Sequence, residues 1–308
     1  MTANRPSQTE TGPAEQDPAE QEQPGQAETA LAGLDWDGLS AEVCQLLEQA
    51  SEQFILPRWQ RLAEQDIHTK SSASDFVTIA DLEAEAWLTP RLADLLAGAQ
   101  IIAEEASAAD PALRDRAGEG LVWTLDPVDG TRNFVQQRPA FCSMVALAEE
   151  GAGQAAWIWL PLERACLHAR AHGLFWIDSQ GVERLGRPDH QRGLDRMQGT
   201  GGVLGLEGAQ RAAVQERLKA LPGRRFVGSA GIEAVRLALG ELDFLYHARC
   251  NPWDHLPVDI ICRQAGLCVR QLPGGGAYHP ASRTGILVAP DAAAWQDLAS
   301  HIWPEAAE

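Results

Sequence analysis

Residues 121–134 read LVWTLDPVDGTRNF. The first five of them form a continuous apolar run, which is typical of a fully buried strand. The run stops at Asp126-Pro-Val-Asp129-Gly130-Thr131, where two carboxylates stand three positions apart around a proline. A glycine at the next position lets the backbone approach a ligand closely. We therefore expect a buried strand that ends in a polar turn with a chemical role.

Two further acidic clusters accompany predicted elements. Glu104-Glu105 follows the short apolar run Ile101-Ile102-Ala103, and Trp253-Asp254 opens a helical pattern that ends at Gly266. Carboxylates brought together raise each other's pKa unless a cation intervenes, so convergence of the clusters would require a metal ion. Ligands that are all oxygens favour Mg²⁺ over zinc. Any one acidic pair, taken alone, is also typical of a solvated turn.

The stretch Asp126-Pro-Val-Asp129-Gly130-Thr131-Arg-Asn133-Phe resembles the D-P-[IV]-D-G-T-x-N-F signature of the inositol monophosphatase family. Other pieces occur in that family's order: Lys70 with Asp75-Phe-Val-Thr-Ile-Ala-Asp81, Glu104-Glu105, and Pro252-Trp253-Asp254-His255. The resemblance extends over about residues 40 to 290. It implies an α+β fold, a layered α-β-α-β-α sandwich of the inositol monophosphatase and fructose bisphosphatase type, in a superfamily of Mg²⁺-dependent, lithium-sensitive phosphatases.

Carried over residue by residue, the resemblance implies a metal-binding set and a catalytic set. The ligands of a Mg²⁺ cluster would be the carboxylates of Glu104, Asp126, Asp129 and Asp254 and the backbone carbonyl of Val128. Thr131 would act with Glu104 to orient and deprotonate the attacking water, while Asp81 would hydrogen-bond the threonine from behind. Asp81 is also placed to cap a helix, and the two roles are compatible.

The resemblance further implies substrate contacts at Gly130, Thr131, Ser229 and Ala230, and an anion-binding role for Lys70. Ser229 also fits a helix cap, and Lys70 also fits a solvated loop charge. His247 stands where inositol-preferring members carry a glutamate that binds sugar hydroxyls. A histidine there could donate to a hydroxyl, pair with a second anion, or simply pack beside Tyr246.

Two other positions depart from the family pattern. Ala103 replaces the usual glycine before Glu104, and we expect the metal site to tolerate it. Leu256-Pro257-Val258-Asp259 is bulkier than the small-residue run that normally follows the W-D element. The local geometry around Asp254 is therefore where this chain is expected to differ most from its relatives.

Composition places the chain among globular proteins. It has 308 residues, of which 45% are hydrophobic and 22% charged. The formal net charge of −18 disfavours nucleic-acid and anionic-membrane partners. No apolar run reaches the ~18 to 20 residues of a membrane-spanning helix and no secretory signal is recognisable, so we expect a cytoplasmic protein. The six cysteines lack a CxxC pair, which disfavours a disulfide framework or a zinc site.

The pattern along the chain predicts three regions. Residues 1–34 are expected to be a disordered acidic tail, 35–190 an N-terminal α+β sub-domain with most metal ligands, and 191–308 a C-terminal α/β sub-domain supplying Asp254 and substrate contacts. Helical patterns run from Leu39 to Pro57, from Asp81 as a cap, and from Ser229 to Gly240. Strands are expected at 141–148, 157–160, 165–169 and 174–177, and a loop from Gly181 to Arg192.

The predicted function is Mg²⁺-dependent hydrolysis of a small phosphorylated metabolite, such as an inositol monophosphate-like polyol or a sugar phosphate, by metal-activated water. Histidinol phosphate and 3′-phosphonucleotides stay open as substrates, because relatives with this metal site cleave each. A catalytically silent protein that binds a phosphorylated ligand or a regulatory partner is the alternative from another class, and the complete carboxylate set argues against it. Family members commonly form homodimers, which makes a homodimer possible here.

Overall fold

The computed structural model describes residues 31–69, 76–171 and 173–304. The chain divides into a short unit, Met1–Leu34, and a second compact unit, Asp35–Glu308, which contains every element named below. The tail predicted for residues 1–34 lies, as far as residue 30, outside the described residues. Among the described helices, none is both long enough and apolar enough to cross a lipid bilayer.

The helices of the second unit are α1 (Trp36–Ala50), α2 (Ile79–Leu95), α3 (Glu104–Ala109), α4 (Ala112–Asp115), α5 (Thr131–Val135), α6 (Gly208–Lys219), α7 (Ala230–Ala238), α8 (Pro252–Gln264) and α9 (Ala292–Ile302). A π-helical turn, Ser51–Ile55, and a 3₁₀ turn, Leu56–Arg58, extend α1. The α-helix itself ends at Ala50, and the turns that follow it end at Arg58, one residue past Pro57, where the sequence predicted an end or a kink.

A two-stranded antiparallel ribbon, β1 (Ile67–Thr69) and β2 (Phe76–Thr78), precedes the first large sheet. That sheet has seven strands in sequence order: β3 (Gln100–Ala103), β4 (Leu121–Asp129), β5 (Cys142–Glu149), β6 (Ala152–Leu160), β7 (Ala165–Arg170), β8 (Gly173–Asp178) and β9 (Gly181–Arg184). β3 and β4 are parallel, and every later pairing is antiparallel.

The second large sheet is mixed. Its strands are β10 (Gln198–Gly202), β11 (Gly223–Arg225), β12 (Phe244–His247), β13 (Cys268–Leu272) and β14 (Gly285–Ala289), in the spatial order β11-β10-β12-β14-β13. β10 is parallel to both β11 and β12, whereas β14 is antiparallel to its neighbours β12 and β13. The first sheet is thus mostly antiparallel and the second mixed, which agrees with the predicted class.

Helices α7 and α8 form the central layer between the sheets. One apolar cluster joins Met144 and Ile158 of the first sheet, Val235 and Ile261 of the helices, and Val288 of the second sheet. Burial of each such side chain contributes about 1.5–3 kcal/mol, so this shared core holds the two sheets together. α1 and α2 pack on the other face of the seven-stranded sheet, and α6 and α9 cover the five-stranded sheet. The layers follow the order α-β-α-β-α.

Two local predictions need correction. α2 begins at Ile79 rather than after Asp81, because Thr78 is the N-cap and Asp81 is the third helical residue of a capping box.

Gly181–Arg184, predicted as a loop, is the edge strand β9, whose four residues are all exposed. An exposed edge strand has no apolar face, so its sequence carries no strand periodicity. The predicted sub-domain boundary near residue 190 falls between β9 and β10 and stays a prediction.

Candidate metal centre and active site

The carboxyl end of β4 turns sharply and carries Asp126 and Asp129. The pairing of β4 with β5 shifts register between these two residues, which marks a β-bulge. Gly130 follows with a φ of 88°, and a Cβ atom there would lie 2.8 Å from the carbonyl oxygen of Ala140. Only glycine fits such a turn, which leads directly into α5.

Three carboxylates converge at this turn. One oxygen from each of Asp126, Asp129 and Asp254 lies within 4.8 Å of the others, although Asp254 comes from the first turn of α8. Asp126 is 2% and Asp129 8% exposed. Glu104, the first residue of α3, lines the same cavity as Asp129 and Asp254. The carboxylates of β4 and α8 therefore meet, whereas Glu104 of α3 lines the same cavity and its place in a common metal site stays a prediction.

Burial makes this grouping electrostatically costly. It raises the pKa of Asp126 well above its ordinary value, and the charges of Glu104 and Asp129 raise it further. Burial also raises the pKa of Asp254 to about 8, again with added repulsion from Glu104 and Asp129. A divalent cation is the group that relieves such repulsion, and an all-oxygen donor set suits Mg²⁺. The donor chemistry of the site thus fits a magnesium cluster.

The N-terminus of α7 holds Asp129 in place. Its carboxylate accepts hydrogen bonds from Ser229 Oγ at 2.5 Å, from Gly231 N at 2.7 Å and from Ala230 N at 3.2 Å. Burial raises the pKa of Asp129, and these three donors oppose the rise. Ser229 is also the N-cap of α7, as predicted. Ser229 and Ala230, predicted to contact substrate, line the cavity and at the same time anchor a predicted metal ligand.

Thr131 lies between two hydrogen-bond acceptors at the start of α5. Its Oγ1 atom is 3.0 Å from the carbonyl oxygen of Val128 and 3.2 Å from Asp81 Oδ1. The other oxygen of Asp81 accepts from the hydroxyl of Thr78 at 2.5 Å and from its backbone N–H at 2.9 Å. Asp81 therefore lies behind Thr131, within hydrogen-bond distance, and takes part in the capping box of α2 at its third helical residue rather than as the predicted cap.

Glu85 supports α3 and was not predicted from the sequence. Its carboxylate accepts from the backbone N–H groups of Glu105 at 2.7 Å and Ala106 at 2.8 Å. These bonds fix the first turn of α3 and with it the backbone of Glu104. Glu85 follows Asp81 by four residues and so lies on the same face of α2, which is the signal that could have revealed it.

His247 is held by two partners that the sequence analysis also missed. Its Nε2 atom forms an ion pair with Glu233 Oε2 at 2.8 Å, and its Nδ1 atom lies 2.9 Å from His255 Nε2. Burial lowers the pKa of His247, but Glu233 and Asp254 outweigh burial, so the net shift is upward. Glu233 follows Ser229 by four residues on α7 and therefore lies on the same helix face. Both ring nitrogens of His247 are thus engaged inside the protein.

One cavity of about 1000 Å³ includes much of this site. Glu104, Asp129, Ser229, His247 and Asp254 line it. Other parts of its wall are apolar or basic and are formed by Leu204, Phe226, Trp253, Arg249 and Arg283. Lys70 and Asp75 lie outside the described residues, so the anion-binding role of Lys70 stays a prediction.

The sequence pattern of the inositol monophosphatase family matches residues 37–306. The chain belongs to the inositol monophosphatase family. It is 32% identical to the inositol-1-monophosphatase of Mycobacterium leprae over 228 residues, which is 72% of this chain and 76% of that protein. It is therefore a phosphoric monoester hydrolase of this family, as predicted.

Two other similarities bear on the range of functions. The Nus factor SuhB of Vibrio cholerae is 26% identical over 78% of this chain and 87% of its own length. A crystal structure described as an IMPase/NADP phosphatase complexed with NADP and Ca²⁺ superposes with a TM-score of 0.72 at 20% identity, over 86% of this chain and 95% of that one. The likeness in structure confirms the predicted fold.

Proposed function

We propose that the chain is a Mg²⁺-dependent phosphomonoesterase that hydrolyses a small phosphorylated metabolite, a polyol or sugar phosphate. The observation that carries the proposal is the convergence of the buried Asp126 and Asp129 with the partly buried Asp254 within 4.8 Å. Such a group of carboxylates is destabilising unless a cation joins it. Because Asp129 and Asp254 of this group also line a cavity, the arrangement supports a site that works with a bound metal and a ligand.

The magnesium cluster would be held by Glu104, Asp126, Asp129, Asp254 and the carbonyl of Val128. When bound, the cluster would supply Lewis-acid charge at the phosphoryl group and would lower the pKa of a metal-bound water to about 7. Val128 can serve while accepting from Thr131, because a carbonyl oxygen has two lone pairs.

The residues of the chain orient the attacking water and the phosphate. Thr131 has a single hydroxyl proton, which it donates to Asp81 or to Val128, so a lone pair of Oγ1 is left to accept from water. One O–H group of the attacking water would thus donate to Thr131 Oγ1, and the other would lose its proton to the Glu104 carboxylate. Gly130 has no side chain, and the backbone of the turn can therefore approach the phosphate oxygens.

Other substrates and one other role remain as alternatives. A glutamate at position 247 would bind substrate hydroxyls, and histidinol phosphate or a 3′-phosphonucleotide would need fewer of these contacts. One structural relative is described as an IMPase/NADP phosphatase. A silent regulatory role is suggested by the relatives named Nus factor SuhB. Possession of all four acidic ligand candidates and Thr131 favours catalysis. Cytoplasmic location and a homodimer are part of the proposal.

The test compares Asp254→Asn with the wild type in a Mg²⁺-dependent phosphate-release assay. Because burial already favours the uncharged form of Asp254, an amide there should leave the fold intact. We expect kcat/KM to fall by at least about a hundredfold, since even outer partners of metal ligands contribute about 10–100-fold. The panel contains myo-inositol 1-phosphate, fructose 1,6-bisphosphate, histidinol phosphate and adenosine 3′,5′-bisphosphate.

The control is Asp297→Asn, which removes an exposed carboxylate on α9. Its activity should equal that of the wild type. Full activity of the Asp254 variant would refute the metal mechanism. No phosphate release by the wild type from any compound would favour the silent role.

A further inference from the structure

The cavity wall contains three arginines with different surroundings. Arg283 forms an ion pair with Asp115. Arg114 donates to the carbonyl oxygen of Cys250 and lies over the ring of Trp253, 5.8 Å from its centroid. Arg249 is exposed, and no carboxylate or carbonyl of the described residues pairs with its guanidinium group. The chain has a net charge of −18, yet Arg249 lies without an acidic partner beside a site proposed to process anions. This combination indicates a position where an anionic ligand binds.

The backbone makes room for the aliphatic part of this side chain. Gly205, in the turn after β10, has a φ of +91°, and a Cβ atom there would lie 2.8 Å from Arg249 Cβ and 3.0 Å from Arg249 Cδ. The backbone N–H of Ala248 donates to the carbonyl oxygen of Gly202 at 3.2 Å, which ties the two segments together. The stem of Arg249 is therefore packed, while its charged end has no partner among the described residues.

Two polar side chains near Arg249, His247 and Glu233, already pair within the protein. His247, two residues earlier, uses both ring nitrogens on His255 and Glu233. Glu233 also accepts from Thr200 Oγ1 at 2.8 Å and is 2% exposed. His247 and Glu233 are thus engaged with each other and with protein neighbours, whereas the Arg249 guanidinium is a cation without a partner among the described residues. Asn251 Oδ1 is an acceptor on this wall that has no hydrogen-bond partner in the described part of the chain.

Two apolar side chains complete this wall. Leu204 is 76% and Phe226 65% exposed and both line the cavity, so apolar surface lies on the same wall as Arg249. An organic group packed there, joined to a second anion, would match both the apolar surface and the cation. Guanidinium groups bind phosphate through two parallel hydrogen bonds.

We propose that Arg249 is a specificity-determining residue that binds a second anionic group, such as a second phosphate, on the organic part of the substrate. The inference rests on the proposed phosphatase function and narrows its substrate class. It assigns no step of hydrolysis to Arg249, and its effect is confined to the choice between substrates.

The test uses two pairs of substrates whose members differ only in the second phosphate. They are adenosine 3′,5′-bisphosphate against adenosine 3′-monophosphate, and fructose 1,6-bisphosphate against fructose 1-phosphate. In the full chain with Mg²⁺, we expect wild type to favour the bisphosphate in at least one pair by roughly tenfold or more in kcat/KM. Arg249→Gln should bring that ratio close to one by raising KM for the bisphosphate.

The matched control is Arg211→Gln, which removes an exposed arginine on α6 and should keep the wild-type ratio. The proposal is overturned by equal kcat/KM values within both pairs for wild type, or by a preference that survives Arg249→Gln; loss of that preference in Arg283→Gln would then assign it to Arg283.

Failure of the proposed function would look different, because wild type would then release phosphate from none of these compounds. Calorimetric binding of adenosine 3′,5′-bisphosphate and adenosine 3′-monophosphate then decides the role of Arg249. The proposed role is supported if Arg249→Gln binds the bisphosphate more weakly than wild type does and binds the monophosphate equally well. It is refuted if wild type and Arg249→Gln bind the bisphosphate equally.

Discussion

Thr131 shows how one hydroxyl group can be fixed by its surroundings. Two acceptors, Val128 O and Asp81 Oδ1, lie within 3.2 Å of Oγ1, and Thr78 holds Asp81 from the other side. The hydroxyl proton is thereby directed into the protein, so the oxygen presents its lone pairs outward. That arrangement suits a group that orients water.

Thr131→Val tests this at the residue scale. Valine has almost the same shape and lacks the hydroxyl, so we expect kcat to fall by roughly 10²–10⁴-fold, the usual range for a group that assists proton transfer. Substrate KM should change little. Steady-state kinetics measure both constants, and Thr131→Ser is the control because it restores the hydroxyl. Equal kcat values for the valine variant and wild type would contradict the role.

At the scale of elements, the position of α3 depends on a side chain from α2. Glu85 accepts two backbone N–H groups at the start of α3, next to Glu104. A helix of six residues has little stability of its own, so this contact decides where Glu104 lies.

Glu85→Gln should therefore weaken both the fold and the site. The amide leaves one of the two N–H groups facing another donor, at a cost of about 1–3 kcal/mol in the free energy of unfolding. We also expect a higher Mg²⁺ concentration for half-maximal activity. Urea unfolding and a Mg²⁺ titration measure the two effects. Glu83→Gln, on the same helix but in a half-exposed pair with Arg58, should change neither.

Sequence patterns predicted the elements whose signals are local. The strands β4, β5, β7 and β8 and the α7 cap at Ser229 were predicted within about one residue or as the core of the element. However, β6 begins at Ala152, five residues before the predicted start, because its first residues are exposed and small or polar. β9 was missed because an exposed edge strand has no buried face. The start of α2 was misplaced because a capping box contains two polar residues, Thr78 and Asp81, and either fits a cap.

The residues of the site likewise divide into those that a local motif predicts and those that only long-range contacts reveal. Asp126, Asp129 and Thr131 occupy one short motif, and their arrangement could be predicted from spacing and family resemblance. Glu233 and His255 contact His247 across three different elements, and no spacing in the sequence reveals such contacts. What the sequence left out is the packing that determines which polar atoms remain available.

For the whole molecule, the buried carboxylates link stability to pH and to metal. The pKa of Asp254 is raised from 3.8 to about 8, so between these pH values the folded protein binds more protons than the unfolded chain. Stability without metal should therefore fall as pH rises through this window. A bound divalent cation competes with those protons and removes the penalty.

We accordingly expect Mg²⁺ to raise the thermal midpoint more at pH 8 than at pH 5. Differential scanning calorimetry with and without Mg²⁺ measures the shift. Asp254→Asn should reduce the difference between the two pH values, because it removes the group that titrates. An equal Mg²⁺ effect at both pH values in wild type would show that these carboxylates do not bind the ion.

The turn between β10 and α6 has a practical value for protein engineering. Asp126 and Asp129 belong to the seven-stranded sheet, whereas the turn with Gly205, together with Arg249, extends from strands of the five-stranded sheet. On the proposed role of Arg249, randomised libraries confined to residues 203–206 and to positions 226 and 249 are expected to change substrate choice while every carboxylate ligand candidate and Thr131 is kept. The two functions remain in contact, because Asp254 comes from α8, five residues after Arg249, and Ser229, three residues after Phe226, holds Asp129.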